Sequence, residues 1–376
     1  MRRVGAGLIA LVLSIALAQA ADPRQELAFP DLPGYETLIC DFHTHTVFSD
    51  GAVWPTVRVD EAWREGLDVL AISDHVEYQP HKADVPTNHN RSFELAAERA
   101  AQHGLLLIRA AEITRDTPPG HHNAILLADV PPLEQEDFYA VFDAAQRQQA
   151  FCFWNHPGWQ GAERGQWGEW QQKLLDRKQL HGVEICNGAS YYEYAHRLAV
   201  ERGLTLIGNS DIHEPSRGLR EFKGGHRTLT LVFAAARTQD ALREALLAGR
   251  TAVWFTEQLI GREAELRALA IASLRLHPVH HRDGQRAWLR IENGCEVDLT
   301  LARVGKAGPG EIRLPARATT LVRLEGKPET LAGALPYRVT NVLVGPGQPL
   351  EIGLNFETGA VSRATQPASA PAEGKQ

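Results

Sequence analysis

Between residues 37 and 213 one pattern recurs. A short apolar run is followed by a tail of histidine, aspartate, glutamate or asparagine, and then by an amphipathic stretch. The runs are 38–42, 69–72, 105–110, 124–127, 151–154, 183–186 and 205–207. Continuous runs this short, rich in branched aliphatic residues, read as buried parallel strands. Stretches 58–65, 93–103, 138–149 and 194–202 carry helical periodicity, and Gly66, Gly104 and Gly203 stand where left-handed helix caps are expected. Seven strands alternating with helices predict an α/β fold, a distorted (β/α) barrel rather than a sandwich. A further strand (228–233) and helix (238–248) close the unit, giving a barrel over 37–262 after a lead-in at 21–36.

Beyond residue 263 the period changes to two. Segments 287–292, 297–304, 319–324 and 350–355 alternate apolar and polar residues, with Gly, Pro and Asn between them. This predicts a small antiparallel, β-sandwich-like domain over 263–359. The Ala-, Pro- and Ser-rich stretch 360–376 is expected to be a disordered tail. With 44% hydrophobic and 23% charged residues, the composition excludes a disordered, collagenous or coiled-coil chain. A chain of 376 residues suits one large barrel plus a smaller domain.

Residues 1–20 have a different use. Arg2 and Arg3 precede an apolar run, which ends in Ala18-Gln19-Ala20. These are the parts of a secretory signal, with cleavage expected after Ala20. The apolar run is short for a membrane span, and an uncleaved anchor is the alternative. Cleavage takes the net charge from −7 to −9. The mature chain is then expected in the periplasm or medium, with no membrane span. Nothing in that charge advertises a nucleic-acid partner. Four cysteines are too few for a disulfide scaffold. Cys40, Cys152 and Cys186 lie inside apolar runs and read as buried thiols, with a Cys152–Cys186 bridge as the minor alternative.

In a parallel barrel, functional side chains come from the C-terminal ends of strands. The potential ligands of this chain fall there. The first run leads into Asp41-Phe42-His43-Thr44-His45, then Ser49-Asp50-Gly51. Residues i and i+2 of an extended chain share a face, so His43 and His45 form a natural chelate. The second run ends in Ser73-Asp74-His75 and the third in Glu112. His121-His122-Asn123 opens the fourth, Asn155-His156 closes the fifth, Glu184 and Asn187 lie on the sixth, and Asp211-Ile212-His213 follows the seventh. Any one of these has an ordinary reading as a cap or a solvated loop residue. Their co-occurrence at one end of the barrel points to metal. His81, His89, His103, His277, His280 and His281 read as surface histidines.

These motifs resemble the PHP (polymerase and histidinol phosphatase) family. His43-x-His45, Ser49-Asp50-Gly51, Ser73-Asp74-His75, Glu112, His156 and Asp211-x-His213 match it in order and spacing, over about residues 37–255. Within the family the chain looks most like the exported branch that includes carbaryl-hydrolase-like metallohydrolases. The resemblance implies a distorted seven-stranded barrel with two or three divalent ions (Zn, Mn or Fe). It gives His43, His45, Glu112 and Asp211 to the first ion. Glu112, His121 or His122, and His156 hold the second, and Asp50, His75 and His213 the third. A Gly-His-x-Asn pattern in exported relatives favours His121.

Clustered divalent ions lower the pKa of a shared water and clamp phosphoryl oxygens. Mixed imidazole and carboxylate ligation suits Zn, Mn or Fe without choosing among them. Asp41 and Asp74 are expected to hydrogen-bond metal-bound imidazoles from behind. Asn155, Asn187, Asn209 and Ser210 are placed to orient water or substrate. Arg115, Arg217, Arg220, Lys223 and His226 are candidates for holding a substrate anion on the rim. His226 is also a candidate proton donor to the leaving group. The expected activity is hydrolysis of small phosphate mono- or diesters, by a hydroxide held at the metals. Hydrolysis of a carbamate or carboxylic ester is a second reading, and a non-catalytic metal- or ligand-binding protein a third. The expected substrate is a small ester, anionic in the first reading. Oligomeric state is not legible.

Overall fold

The computed structural model describes residues 23–85, 88–216, 225–326 and 332–364. The predicted signal (1–20), Arg217, Arg220 and Lys223, and residues 365–376 lie outside them. None of the described helices is long and apolar enough to cross a membrane.

The barrel unit runs β1 (Glu36–Asp41), α1 (Pro55–Arg64), β2 (Val69–Ile72), α2 (Arg91–His103), β3 (Leu106–Ile113) and β4 (His122–Ile125). It continues through α3 (Phe138–Arg147), β5 (Phe151–Trp154), α4 (Glu169–Asp176), β6 (Gly182–Asn187), the short β7 (Ser190–Tyr191), α5 (Glu193–Arg202) and β8 (Thr205–Asn209). Then come β9 (Leu229–Ala234), α6 (Gln239–Leu247), β10 (Thr251–Phe255) and β11 (Gln258–Gly261). Around the wall the order is β9-β1-β2-β3-β4-β5-β6-β8. Each predicted run lies on or beside a strand. Gly104 and Gly203 end α2 and α5 at φ +66° and +70°.

Not every strand is parallel, as the run pattern had implied. β4 is antiparallel to both β3 and β5, and β9 is antiparallel to β1 and β10. The loop between β3 and β4 contains no helix. A parallel return needs a crossover of a dozen or more residues, so a short helix-free loop brings the chain straight back.

Alternate residues fill the barrel interior: Leu38, Cys40 and Phe42 from the first run, Val69 and Ala71 from β2, Ile108 and Ala110 from β3, Phe151 and Phe153 from β5. Residues of opposite parity face the helices. Cys40, Cys152 and Cys186 are buried as read. At the seam of β8 with β9 and β10, threonine hydroxyls take part in the bonding. Thr230 Oγ1 accepts from Gly208 N (3.0 Å) and donates to Gly208 O (2.7 Å), and Thr251 Oγ1 donates to Leu206 O (2.8 Å). A β-carbon on Gly208 would stand 2.2 Å from Val253 Cγ1, so only glycine allows this approach.

The second unit, predicted as a β domain from residue 263, opens with a helix. This helix is α7 (Glu263–Ser273), whose Leu266, Leu269 and Ala270 are buried. Next come β12 (Leu274–Leu276), β13 (His281–Asp283), β14 (Arg286–Asn293), β15 (Leu299–Arg303), β16 (Glu311–Leu314), β17 (Ala318–Glu325), β18 (Ala334–Gly345), β19 (Gln348–Asn355) and β20 (Ala360–Arg363). β12, β13 and β17 pair with β14 in one sheet, and the other runs β16-β15-β18-β19-β20. β18 also pairs in parallel with β11 (Leu259↔Val342, Ile260↔Leu343), which makes this second sheet continuous with the barrel wall. The predicted disordered tail therefore begins too early at residue 360. Asn355 Oδ1 accepts from Glu357 N and Thr358 N, both at 3.0 Å, and this turn returns Ala360–Arg363 onto β19.

Candidate metal centre

Seven strand ends meet over one cavity of about 220 Å³, lined by Asp50, His75, Glu112, His121, His156, Trp159, Asn187, Asp211 and His213. His43 and His45 form its floor, with no exposed surface. Local pairing sets the heights of these side chains. Thr44 bridges to Ile212, and His75 bridges to Glu112, both in parallel sense. Arg58, buried on α1, ties the same loops together. Its guanidinium donates to the carbonyls of His45 (3.0 Å), Ile212 (3.2 Å) and His213 (3.0 Å), while its charge meets Glu61 at 2.6 Å. His156 and Asp211 sit at φ +25° and +52°, a region that non-glycine residues seldom enter. Their surroundings hold them in conformations that aim both side chains inward.

Glu112 is the hub. Its Oε2 lies 3.1 Å from His43 Nε2, 3.0 Å from His75 Nδ1 and 3.3 Å from His45 Nε2. Its Oε1 lies 2.9 Å from His121 Nδ1 and 3.4 Å from His156 Nε2. Asp211 Oδ1 faces His45 Nε2 at 3.0 Å and His43 Nε2 at 3.2 Å. Asp50 Oδ1 faces His213 at 3.2 Å, and its Oδ2 faces His75 at 3.4 Å. Four groups have ligand atoms within 4.8 Å of one another: His45/Asp50/His75/His213, His43/His45/Glu112, His43/His156/Asp211 and His75/Glu112/His121. All nine predicted ligands are thus brought together. The grouping differs in detail from that implied by the resemblance. His45 also joins the Asp50 group, and His121 and His156 fall in separate groups.

The electrostatics follow from carboxylates crowded among imidazoles. Burial opposes protonation of His43, but Asp211, Glu112 and Glu184 outweigh it and push its pKa well up. Burial likewise opposes His75, and Glu112 and Asp50 bring it to about 9. His45 goes the other way, to about 4, because burial dominates and His75 adds to it. Burial would raise Glu112 and Asp211, but the surrounding imidazoles hold both well below the carboxylate range. Among the described residues, no lysine or arginine lines the cavity. There the carboxylates meet imidazoles. Imidazole and carboxylate donors without thiolate fit divalent ions of the Zn, Mn and Fe type.

The structure separates the adjacent histidines as favoured, and it corrects several other sequence expectations. His122 is the core residue of its pair: fully buried, its ring 5.3 Å from Phe142 and 5.7 Å from Phe138. His121 is the one at the cavity. Asp74 contacts no imidazole. It accepts from Thr46 N, Thr46 Oγ1 and Ser49 Oγ, each at 2.7 Å, and so shapes the loop that carries Asp50. Asp41 instead pairs with Arg227 (3.1 Å) and Ser210. His226 lies away from the cluster, in a cavity between the barrel and the β unit, stacked on Trp254 at 3.5 Å. Its nitrogens meet the carbonyls of Arg227 (2.6 Å) and Thr256 (2.7 Å), so it does not face a leaving group. Asn155 and Asn209 hold Glu112 and Glu184 rather than facing the cavity. Asn187 does line it, donating to Glu184 (2.9 Å) and Asp211 (3.2 Å). Arg115 is engaged by Glu77 and lines a neighbouring cavity. His89 is not a surface histidine: its side chain is largely buried, between Gln79 and Glu134.

The residue whose part in the site the sequence did not reveal is Glu184. Fully buried, it accepts from His43 Nδ1 (2.9 Å), His156 N (2.8 Å), Asn187 Nδ2 (2.9 Å) and Asn209 Nδ2 (2.8 Å). A charged residue amid the apolar run Gly182–Asn187 was the available signal.

Two of the comparisons with known proteins bear on this architecture and agree with it. An Ig-like domain family matches residues 274–355. The crystal structure of a two-domain protein from Bacteroides vulgatus, containing a predicted PHP-like metal-dependent phosphoesterase, is 42% identical, with a TM-score of 0.83. That likeness covers 88% of this chain and 98% of the other. An uncharacterized protein of Methanocaldococcus jannaschii is 25% identical over 191 residues, which is 46% of this chain and 81% of that one. A candidate metal-dependent phosphoesterase from Bifidobacterium adolescentis is 18% identical, with a TM-score of 0.40, over 56% of this chain and 96% of its own.

Proposed function

The chain belongs to the PHP-like metal-dependent family, and from that premise we propose that it is a metal-dependent phosphoesterase hydrolysing small organic phosphate mono- or diesters. One observation carries the reading. Nine imidazole and carboxylate side chains from six strand ends converge, in four overlapping groups, on and beneath a single cavity. His43, His45, Glu112 and Asp211 would hold one divalent ion, with His121 and His156 about a second and Asp50, His75 and His213 about a third. Ions there would supply Lewis acidity, easing deprotonation of water and neutralising phosphoryl oxygens.

The chain's own residues do the rest. Glu112, with an imidazole on each oxygen, would contribute to holding more than one ion. Glu184 and Asn209 fix His43 and the end of β6 from behind, where a few tenths of an ångström matter. Asn187 presents its amide at the cavity, beside Asp211. Substrate enters where Asp50, Asp211 and His213 are partly open to solvent (side chains 23%, 18% and 35% exposed). We place the activity outside the cytoplasm on the strength of residues 1–20, and in the exported branch of the family on the Gly120-His121-x-Asn123 pattern.

The test is turnover of bis-p-nitrophenyl phosphate, p-nitrophenyl phosphate and p-nitrophenyl acetate by purified protein, with and without added Mn or Zn. Metal-dependent release from a phosphate ester, lost in His43→Ala, is the expected result. Release from the acetate alone would favour the carboxylic ester reading. No turnover at full metal occupancy would overturn the proposal.

A further inference from the structure

Among the described residues, every one lining the metal cavity is polar or ionisable except one. Trp159 is 53% exposed, yet its ring lies 5.5 Å from His121 and 5.7 Å from His156. Other aromatic side chains are exposed too, among them Trp54 (44%) and Tyr78 (52%), but of these Trp159 alone lines the ionic cavity. The placement is built. Trp159 N donates to His156 O (3.1 Å), closing a tight turn through Pro157 and Gly158. Gly158 backs onto the Tyr192 ring so closely that a β-carbon there would stand 2.8 Å from it. The turn that carries ligand His156 therefore also carries the indole and fixes it beside the cluster.

We propose that Trp159 is a specificity platform, on which a planar aromatic substituent of the substrate stacks while the ester group sits over the imidazole and carboxylate cluster. The proposal rests on the ester-hydrolysis reading and adds the substrate class. A cavity of about 220 Å³ accommodates a small ester head and leaves a larger substituent to extend past its mouth, where the indole stands. Stacking on an indole rewards a flat π-face and tolerates varied edges, so the selected class is aryl or heteroaryl esters over alkyl ones.

Tyr78 provides an internal control. It is equally exposed (52%) and its ring lies 5.8 Å from His75, but it does not line the cavity. The experiment measures binding of phenylphosphonate and methylphosphonate to the metal-loaded full-length protein by calorimetry, alongside turnover of phenyl and ethyl phosphate. The expected preference for phenylphosphonate is about fivefold to tenfold. It is lost in Trp159→Ala, kept in Trp159→Phe and unchanged in Tyr78→Ala. In turnover the loss appears as a raised KM for the phenyl ester, with kcat little moved. Equal binding of the two phosphonates by the wild type, a preference that survives Trp159→Ala, or an equal loss in Tyr78→Ala would each overturn the proposal. A binding preference without turnover of either ester would sink the hydrolase reading while upholding the platform.

Discussion

His43 Nδ1 lies 2.9 Å from Glu184 Oε1, and both side chains are fully buried. With Nδ1–H donated to that carboxylate, Nε2 is the nitrogen turned toward Glu112 and Asp211. Such a bond fixes the tautomer and orientation of the ring before any ion arrives. Glu184 also holds the His156 amide, so one side chain positions candidate ligands from two strand ends.

Glu184→Gln keeps the volume and removes the charge that meets His43 Nδ1–H. Metal affinity, followed by titration of the metal-free protein, is expected to fall about 10- to 100-fold. The melting temperature of the metal-free form should move far less than for a variant that empties a core position. Unchanged affinity would show that Glu184 serves only the fold.

The adjacent histidines separate binding from stability. His121→Ala should remove bound metal and activity at little cost in stability. His122→Ala empties a site packed against Phe138 and Phe142, with an expected cost of about 2–4 kcal/mol in urea denaturation and metal stoichiometry retained. The opposite pattern would exchange their roles.

The barrel seam is tested by a double mutant. Gly208→Ala drives a β-carbon to 2.2 Å from Val253 Cγ1, and overpacking of this kind costs about 1–3 kcal/mol. Val253→Ala clears that space. The pair should then be less destabilised than the sum of the single substitutions, since residues in contact couple. Strict additivity would mean that the wall relaxes elsewhere.

Stability should fall in mild acid. His196 is buried, with Tyr191 Oη 2.9 Å from its Nδ1, and burial lowers its pKa to about 4. The unfolded ring takes up a proton at its ordinary pKa, near 6.5, while the folded one stays neutral. Its contribution is therefore intact above about pH 6.5 and is lost as pH falls toward 4, by at most about 1.4 kcal/mol per unit. Replacing His196 by Gln should flatten the denaturation midpoint against pH in that window. An unchanged slope would assign the acid sensitivity to other groups.

Strand positions were legible because each run is a local pattern: apolar interior, polar exit. The i, i+2 pair His43/His45 could be read the same way, since alternation along an extended chain follows from backbone geometry alone, whereas Asp211, at φ +52°, departs from that geometry. The direction of β4 was not legible, because it depends on how a helix-free loop returns. Nor was the first turn of chain after 360, whose pairing with β19 depends on the Asn355 turn. His226 looked like a rim residue from its place after the seventh run. Packing against Trp254 moved it to another cavity.

The sequence by itself determined the kind of fold, the end of the barrel that carries chemistry, and the donors available there, because these depend on residue type and local spacing. Tertiary structure alone decided which histidine of 121 and 122 faces the cavity, that Glu184 rather than Asp41 or Asp74 stands behind His43, and that Arg58 clamps the ligand loops. Those choices join residues such as His43 and Glu184, 141 positions apart, and Arg58 and Ile212, 154 apart. A buried charge takes whichever partner the packed chain brings within hydrogen-bond reach, and local spacing does not record which one that is.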